Sequence, residues 1–287
     1  MPSSRILFGY ETDSLAKRKK DSDMKSSRKG LALLPRYPLN HYRGSGAGGL
    51  LSLLKALFIN RILVRHLPNV IKGSEHVICP LCGWHGRYFL PYIGGGHVKF
   101  NQYCPGCESH ARHRGHRILY ERILKCAEWK GRLLYFAPEP CVLAFLRSSV
   151  SLLRIVTVDY SMGGVECRVD ILNAPFRDRS YDLILCHHVI EHVRDDYRAL
   201  REVKRILKEG GKAILSVPID LESPSTLEWG KPNALFDDHY YRYGMDFKER
   251  LGRVFPSVEE FAFSKVFTEQ ERRLHGIDES VVYVCGY

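Results

Sequence analysis

The stretch YDLILCHHVIEHVRDDYRALREVKRILKEGGKAILSVP, residues 181–218, limits the folds open to this chain more than any other. An apolar run at 183–186 has the length of a buried strand, and a second follows at 213–217. Between them Tyr197, Leu200, Val203, Ile206 and Leu207 recur at helical spacing, while Arg198, Arg201, Glu202 and Lys204 take other faces. Gly210-Gly211 is expected to stop that helix. Strand, helix and strand make one βαβ unit, so the expectation is an α/β fold built on a parallel sheet. Ligands of such sheets bind beyond the carboxyl ends of the strands. His187, His188, Glu191 and His192 follow the first strand directly, where chemistry is expected.

At 287 residues there is room for one α/β domain and something smaller, and 45% apolar content suits a packed core. Residues 1–125 hold 21 Lys/Arg against 7 Asp/Glu, whereas 126–287 hold 22 against 25, so the net charge of +11 comes from the N-terminal part. Nine cysteines, four of them in CxxC pairs, fit a reducing compartment better than a disulfide scaffold, and the expected location is cytoplasmic. No signal-peptide pattern opens the chain, and no stretch reaches about 18 uninterrupted apolar residues, so neither secretion nor membrane spanning is expected.

Residues 1–48 read as a basic, disordered tail: Lys17, Arg18, Lys19, Lys20, Lys25, Arg28 and Lys29 mix with Ser and Asp without periodicity. A solvated tail is favoured over a nucleic-acid or anionic-membrane contact. Residues 49–72 follow the flexible GSGAGG and read as an amphipathic helix, rich in Leu and Ile but interrupted by Lys55, Arg61 and Arg65. Packing on its own protein is favoured for it over a peripheral membrane contact or a dimer cap. The oligomeric state is left open.

Cys79 and Cys82, then Cys104 and Cys107, give CxxC, 21 residues, CxxC. Each pair brings two thiolates to one tetrahedral ion from a tight turn, so residues 73–115 are expected to form a zinc ribbon with a closed, structural Zn2+ site. Gly83 and Gly106 are expected to let the backbone fold beneath the metal. His85, His97, His110 and His113 are read as surface or interface residues, and Arg112, Arg114 and Arg117 as a basic patch that could meet nucleic acid.

The "HVIEHV" segment, its acidic-basic helix and "LKEGGKAILSVP" resemble the central signature of class I S-adenosylmethionine (AdoMet) dependent methyltransferases of the type 11-like kind. The "CPxCG…CPxC…RHR" arrangement upstream resembles the subset carrying an N-terminal zinc ribbon. The resemblance covers 76–287 and implies a Rossmann-like, seven-stranded, mostly parallel sheet with helices on both faces. Residues 116–287 would form the methyltransferase domain, opening with a helix over 116–127. Strand 133–137 then runs into "FAPEPC", where the family has a GxGxG turn. Ala137, Glu139 and Cys141 stand in the glycine positions, and the resemblance assigns Ala137 and Glu139 to cofactor binding. Strand 153–158 ends at Asp159, placed for the ribose hydroxyls. Asp170 and Ile171 are implied at the adenine, although Asp also caps turns unaided. His187 is implied as a further cofactor-binding residue, although it could instead be a strand-end packing residue.

Residues 219–246 read as a long irregular excursion on the acceptor side. Its "DHYYRYGMD" resembles the subset's "DH-x-R-x-YG-x-D", which makes His239, Arg242 and Tyr243 candidates for the active site. A helix is expected from 247, and strands 258–263 and 281–285 as a closing antiparallel pair. Methyl transfer needs alignment more than acid-base power, and His188, His192 and His239 are the candidate bases, at most one of them used. The leading reading is an AdoMet-dependent methyltransferase acting on a small molecule or glycan. An RNA methyltransferase and a non-catalytic zinc-ribbon protein with a degenerate methyltransferase domain are the alternatives.

Overall fold

A computed structural model of the chain describes residues 76–94, 97–161 and 163–287, all within one compact unit. The expected basic tail and amphipathic helix lie outside them. Two short antiparallel hairpins come first, β1 (Val77–Ile78) with β2 (His85–Gly86) and β3 (Leu90–Gly94) with β4 (His97–Tyr103). Helix α1 (Ala111–Ile118) follows and widens into a π turn at Leu119–Ile123. The α/β part then runs β5 (Gly131–Phe136), α2 (Pro140–Ser149), β6 (Leu153–Asp159), β7 (Cys167–Arg168), β8 (Tyr181–His187), α3 (Asp196–Ile206) and β9 (Leu207–Ser216). It ends with β10 (Leu227–Asn233), β11 (His239–Arg242), α4 (Phe247–Gly252), β12 (Ser257–Ala262), α5 (Phe263–Val266), α6 (Glu269–His275) and β13 (Val281–Gly286).

Seven strands form one sheet in the order β12-β13-β9-β8-β5-β6-β7. Strands β9, β8, β5, β6 and β7 run parallel, and β13 runs against both its neighbours. The chain starts in mid-sheet at β5, builds outward to β7, then returns to β8 and builds the other way. The strand order therefore reverses between β5 and β8, the position where open α/β sheets bind ligands. Phe136 pairs with Val158 and Cys186, and Cys186 with Leu215, so the carboxyl ends of β5, β6, β8 and β9 finish level.

Period-two alternation sends Leu134, Phe136, Val158, Ile184, Cys186 and Leu215 to one face, against Leu200, Val203 and Ile206 of α3 and Phe247 and Leu251 of α4. Leu133, Tyr135, Leu183, Leu185 and Ile214 meet Leu119, Tyr120, Val142, Leu146 and Phe263 on the other. At about 1.5–3 kcal/mol for each fully buried large side chain, these two layers dominate the folding energy. Because β8 is covered on both faces, its sequence is a continuous apolar run.

Four local expectations are corrected. Gly210-Gly211 does not cap α3. That helix ends at Ile206, where Arg179 and Ser180 donate their backbone N–H groups to the carbonyls of Arg205 and Ile206 at 2.9 Å each. The glycines instead form an irregularity inside β9, where register shifts between Leu207 opposite Tyr181 and Lys212 opposite Leu183. Gly210 has φ +72°, and a Cβ on Gly211 would meet the carbonyls of Lys208 and Asp182 at 2.9 and 3.0 Å. Helix α1 starts at Ala111, five residues before the expected 116, so "RHRGH" is helical. Residues 219–246 are not wholly irregular, because β10 and β11 pair as an antiparallel hairpin. Helix α6 was not expected, although Thr268 and Glu271 form its capping box and the T-x-x-E pattern announces it.

Candidate active site and candidate metal centre

The two CxxC turns have one backbone design. Cys79 donates its N–H to the Trp84 carbonyl and accepts at its own carbonyl from Gly83 N–H; Cys104 does the same with Ser109 and Glu108. The fifth residue of each turn is left-handed, Gly83 at φ +74° and Glu108 at φ +59°. Gly106 serves by close approach and not by a left-handed backbone, since a Cβ there would lie 3.1 Å from Cys82 Sγ and from Trp84 Cβ. The four Sγ atoms lie within 4.8 Å of one another. Cys79–Cys107 at 3.7 Å and Cys82–Cys104 at 3.6 Å are close to the edge of about 3.8 Å that tetrahedral zinc–thiolate bonds require, so this cluster could hold zinc.

Arg114, on α1, ties the hairpins to the α/β part. It is fully buried and donates to five carbonyls: Gln102 and Ser109 from Nη1, Asn101 and Gly276 from Nη2, and His275 from Nε. Its guanidinium stacks 3.8 Å over Phe89. Burial pushes its pKa down to about 10, still cationic at neutral pH. It is not available to a nucleic acid, and Arg117 is paired with Glu121 and lies over the Phe145 ring. His113 is likewise no surface residue: it is 5% exposed, and burial holds its pKa well below the ordinary range. His110, in contact with Tyr103, is pushed down to about 3 for the same reason.

At the carboxyl edge of the sheet the sequence candidates separate into groups. After β5 the chain turns at Ala137, left-handed at φ +45°, where the resemblance has glycine. The Glu139 carboxylate faces inward, accepting from the Tyr135 hydroxyl and lying 3.6 Å from His113 Nε2, and burial raises its pKa. Asp159 closes β6 with Oδ1 accepting from Ser161 N–H at 2.7 Å. Asp170 is exposed and caps a short turn through Leu172 N–H, beside buried Ile171. A groove lined by Leu172, Arg194, Arg198, Glu228 and Tyr241 borders this turn.

Beyond β8, His187 and His188 part company. The His187 ring is buried between the Tyr120 hydroxyl and Ser216 Oγ, stacked against His116, and burial pushes its pKa down to about 3. Its side chain serves the core, which leaves only its main chain for a ligand. His188 is left-handed at φ +53° and places Nδ1 3.2 Å from Glu191 Oε1. Its Nε2 and both Glu191 oxygens are buried without a hydrogen-bond partner. Burial lowers the His188 pKa well below its usual value and raises that of Glu191. Non-glycine strain and orphaned polar atoms mark ligand sites.

His192 and His239 come together edge to face with ring centres 4.6 Å apart. Tyr243 is wholly buried, its hydroxyl on Asp196, which Arg250 also holds; Arg242 pairs with Asp220. Both support the β10–β11 hairpin. Sequence reasoning read Arg112 only as part of a basic patch, whereas its buried Nε has no partner among the described residues and its charge reaches His110, His113, His187, His188, Glu139 and Glu191. Its place on the exit from the second CxxC turn was the available signal.

Residues 143–215 match the family model described as "Methyltransferase domain". An uncharacterized protein of Methanocaldococcus jannaschii is 50% identical over 48 residues, 17% of this chain and 21% of that one. The ubiquinone/menaquinone biosynthesis C-methyltransferase of Xanthomonas oryzae pv. oryzae is 37% identical over 123 residues, 42% of each chain. The chain thus spans less than half the length of either curated relative. A crystal structure of a SAM-dependent methyltransferase from Archaeoglobus fulgidus superposes with TM-score 0.44 at 12% identity, over 61% of this chain and 94% of that one.

Proposed function

We propose that this chain is an AdoMet-dependent methyltransferase whose acceptor is a small molecule or glycan, working in the cytoplasm. The carrying observation is the sheet: five parallel strands reverse their order at β5 and β8, β13 runs reversed, and Asp159 ends the strand next to the reversal. The methyltransferase family match over 143–215 supports the same reading. The quinone-pathway relative favours a small acceptor over RNA, and the burial of Arg114 removes one residue from the basic patch that suggested RNA.

The residues at the edge fit the cofactor. Ala137 makes the tight turn that glycine makes elsewhere, its methyl accommodated at φ +45°. Asp159 would accept from the ribose hydroxyls, and Asp170 and Ile171 would meet the adenine. The His187 main chain would hold the amino group and Arg112, whose Nε is buried without a partner among the described residues, the carboxylate. Glu139 acts from inside, holding the turn through Tyr135. AdoMet bound there supplies a sulfonium methyl group. The chain would align the acceptor atom behind that carbon and exclude water, while His188, kept neutral by burial, would take the acceptor proton. We also propose zinc in the four-cysteine cluster as a structural ion, because four thiolates leave no open position.

Calorimetric titration of the zinc-loaded full chain with AdoMet and S-adenosylhomocysteine tests this. We expect micromolar binding, weakened about 100-fold in Asp159→Ala, as for the loss of charge-assisted hydrogen bonds worth about 3 kcal/mol. No binding by the folded wild-type chain overturns the enzymatic reading and favours a non-catalytic ribbon protein.

A further inference from the structure

We infer that Glu191, His192 and His239 form a second metal site, which takes a divalent cation such as Mn2+, Fe2+, Co2+ or Zn2+. One ligand atom from each lies within 4.8 Å of the other two. The three come from two elements: the short turn Ile190–His192, closed by His192 N–H on the Val189 carbonyl at 3.0 Å, and strand β11. That strand is pinned over the turn by the Tyr241 hydroxyl on the Arg194 carbonyl at 2.7 Å and by Tyr243 on Asp196 at 3.2 Å. The imidazoles are therefore held in place by the fold.

The independent sign of a missing ligand is Glu191. It is 1% exposed, and among the described residues neither carboxylate oxygen has a hydrogen-bond partner. Its nearest polar neighbour is the His188 ring, itself with one nitrogen unpartnered. A buried carboxylate without donors costs several kcal/mol unless something compensates it, and a cation held jointly with two imidazoles does so. Packing explains the burial of Glu191 but not its empty lone pairs, nor two histidines gathered beside it. Two imidazoles and one carboxylate suit first-row divalent metals and leave coordination positions open, unlike the four-cysteine cluster. Resting on the methyltransferase reading, an open cation at the acceptor side favours acceptors that bind through oxygen, and narrows the class to those bearing a hydroxyl.

The test is a Mn2+ titration of the full chain carrying one equivalent of zinc, which the four thiolates hold in preference to the mixed imidazole–carboxylate site, followed by the electron paramagnetic resonance of free Mn2+. Hard Mn2+ leaves zinc on its thiolates, so the two centres are read separately. We expect one tight equivalent, weakened about 100-fold in Glu191→Gln and in His239→Ala, with zinc content and melting temperature unchanged. His192→Asn, at an exposed side chain, keeps the test decisive should Glu191→Gln fail to fold. Absence of a tight equivalent, or binding that survives every one of these substitutions, overturns the inference. AdoMet titrations on the same samples separate the two readings: AdoMet binding without Mn2+ sinks the metal site alone, and Mn2+ binding without AdoMet sinks methyl transfer alone.

Discussion

The buried polar groups around Arg114 and those around Glu191 sit on opposite sides of the same problem. Arg114 brings a full charge into the interior and meets five carbonyls and an aromatic face, so its fork has a partner in every direction. Glu191 brings a carboxyl group to a comparable depth with only the His188 ring at 3.2 Å beside it, and among the described residues neither of its oxygens makes a hydrogen bond. Around Glu191 the backbone is strained at His188, and His188 Nε2 is orphaned too. A completed network fixes one arrangement of hairpins and helices; an incomplete one keeps binding energy in reserve for something that arrives later. The first is a joint, the second a site.

The sharpest way to break this comparison is to remove both charges in turn. Arg114→Met should cost about 3–4 kcal/mol, because it strands five carbonyls that are buried or partly buried, and should show as a large drop in melting temperature with faster hydrogen exchange in residues 97–110. Unchanged stability would mean that the joint is not held by Arg114. Glu191→Met should do the opposite, raising the stability of the zinc-loaded, otherwise cation-free chain by about 1–2 kcal/mol, since a carboxyl group without donors gives way to an apolar side chain of similar size. A loss of stability there would show that Glu191 has internal compensation and is not waiting for a ligand. The smallest effect concerns strain. Glu108→Gly, which gives the second CxxC turn the residue its twin has at Gly83, and Ala137→Gly should each raise the unfolding free energy read from chemical denaturation by no more than about 1 kcal/mol, as relief of the left-handed residue outweighs the entropy of glycine. Destabilisation by Ala137→Gly would show that the alanine methyl packs usefully in the turn.

Much of the fold was legible before any coordinates. The apolar run at 183–186 became the centre of β8, that at 213–217 the C-terminal end of β9, and the helical spacing between them became α3. The paired CxxC spacing brought four sulfurs together. The closing antiparallel pair appeared as β12 and β13. Histidines were harder to read. His113, His187, His188 and His239 look alike in a sequence, yet His187 is locked between Tyr120 and Ser216 while His239 faces His192 across a turn. Glycines misled for a related reason: a Gly-Gly after a helical pattern suits a helix stop and a strand irregularity equally, and the choice fell to the 179–180 backbone that captured the last helical carbonyls.

The sequence by itself determined the element types, the strand-helix alternation and the cysteine cluster, because periodicity and paired spacing are local and each element carries its own signal. Only the tertiary structure decided that Arg114 closes a joint with residues 161 and 162 positions away, or that a histidine 48 positions beyond Glu191 completes its surroundings. Partners of that kind are chosen by where the sheet and its hairpin set the backbone down, and no local pattern of residues encodes a distance between two elements that meet only when the chain is folded.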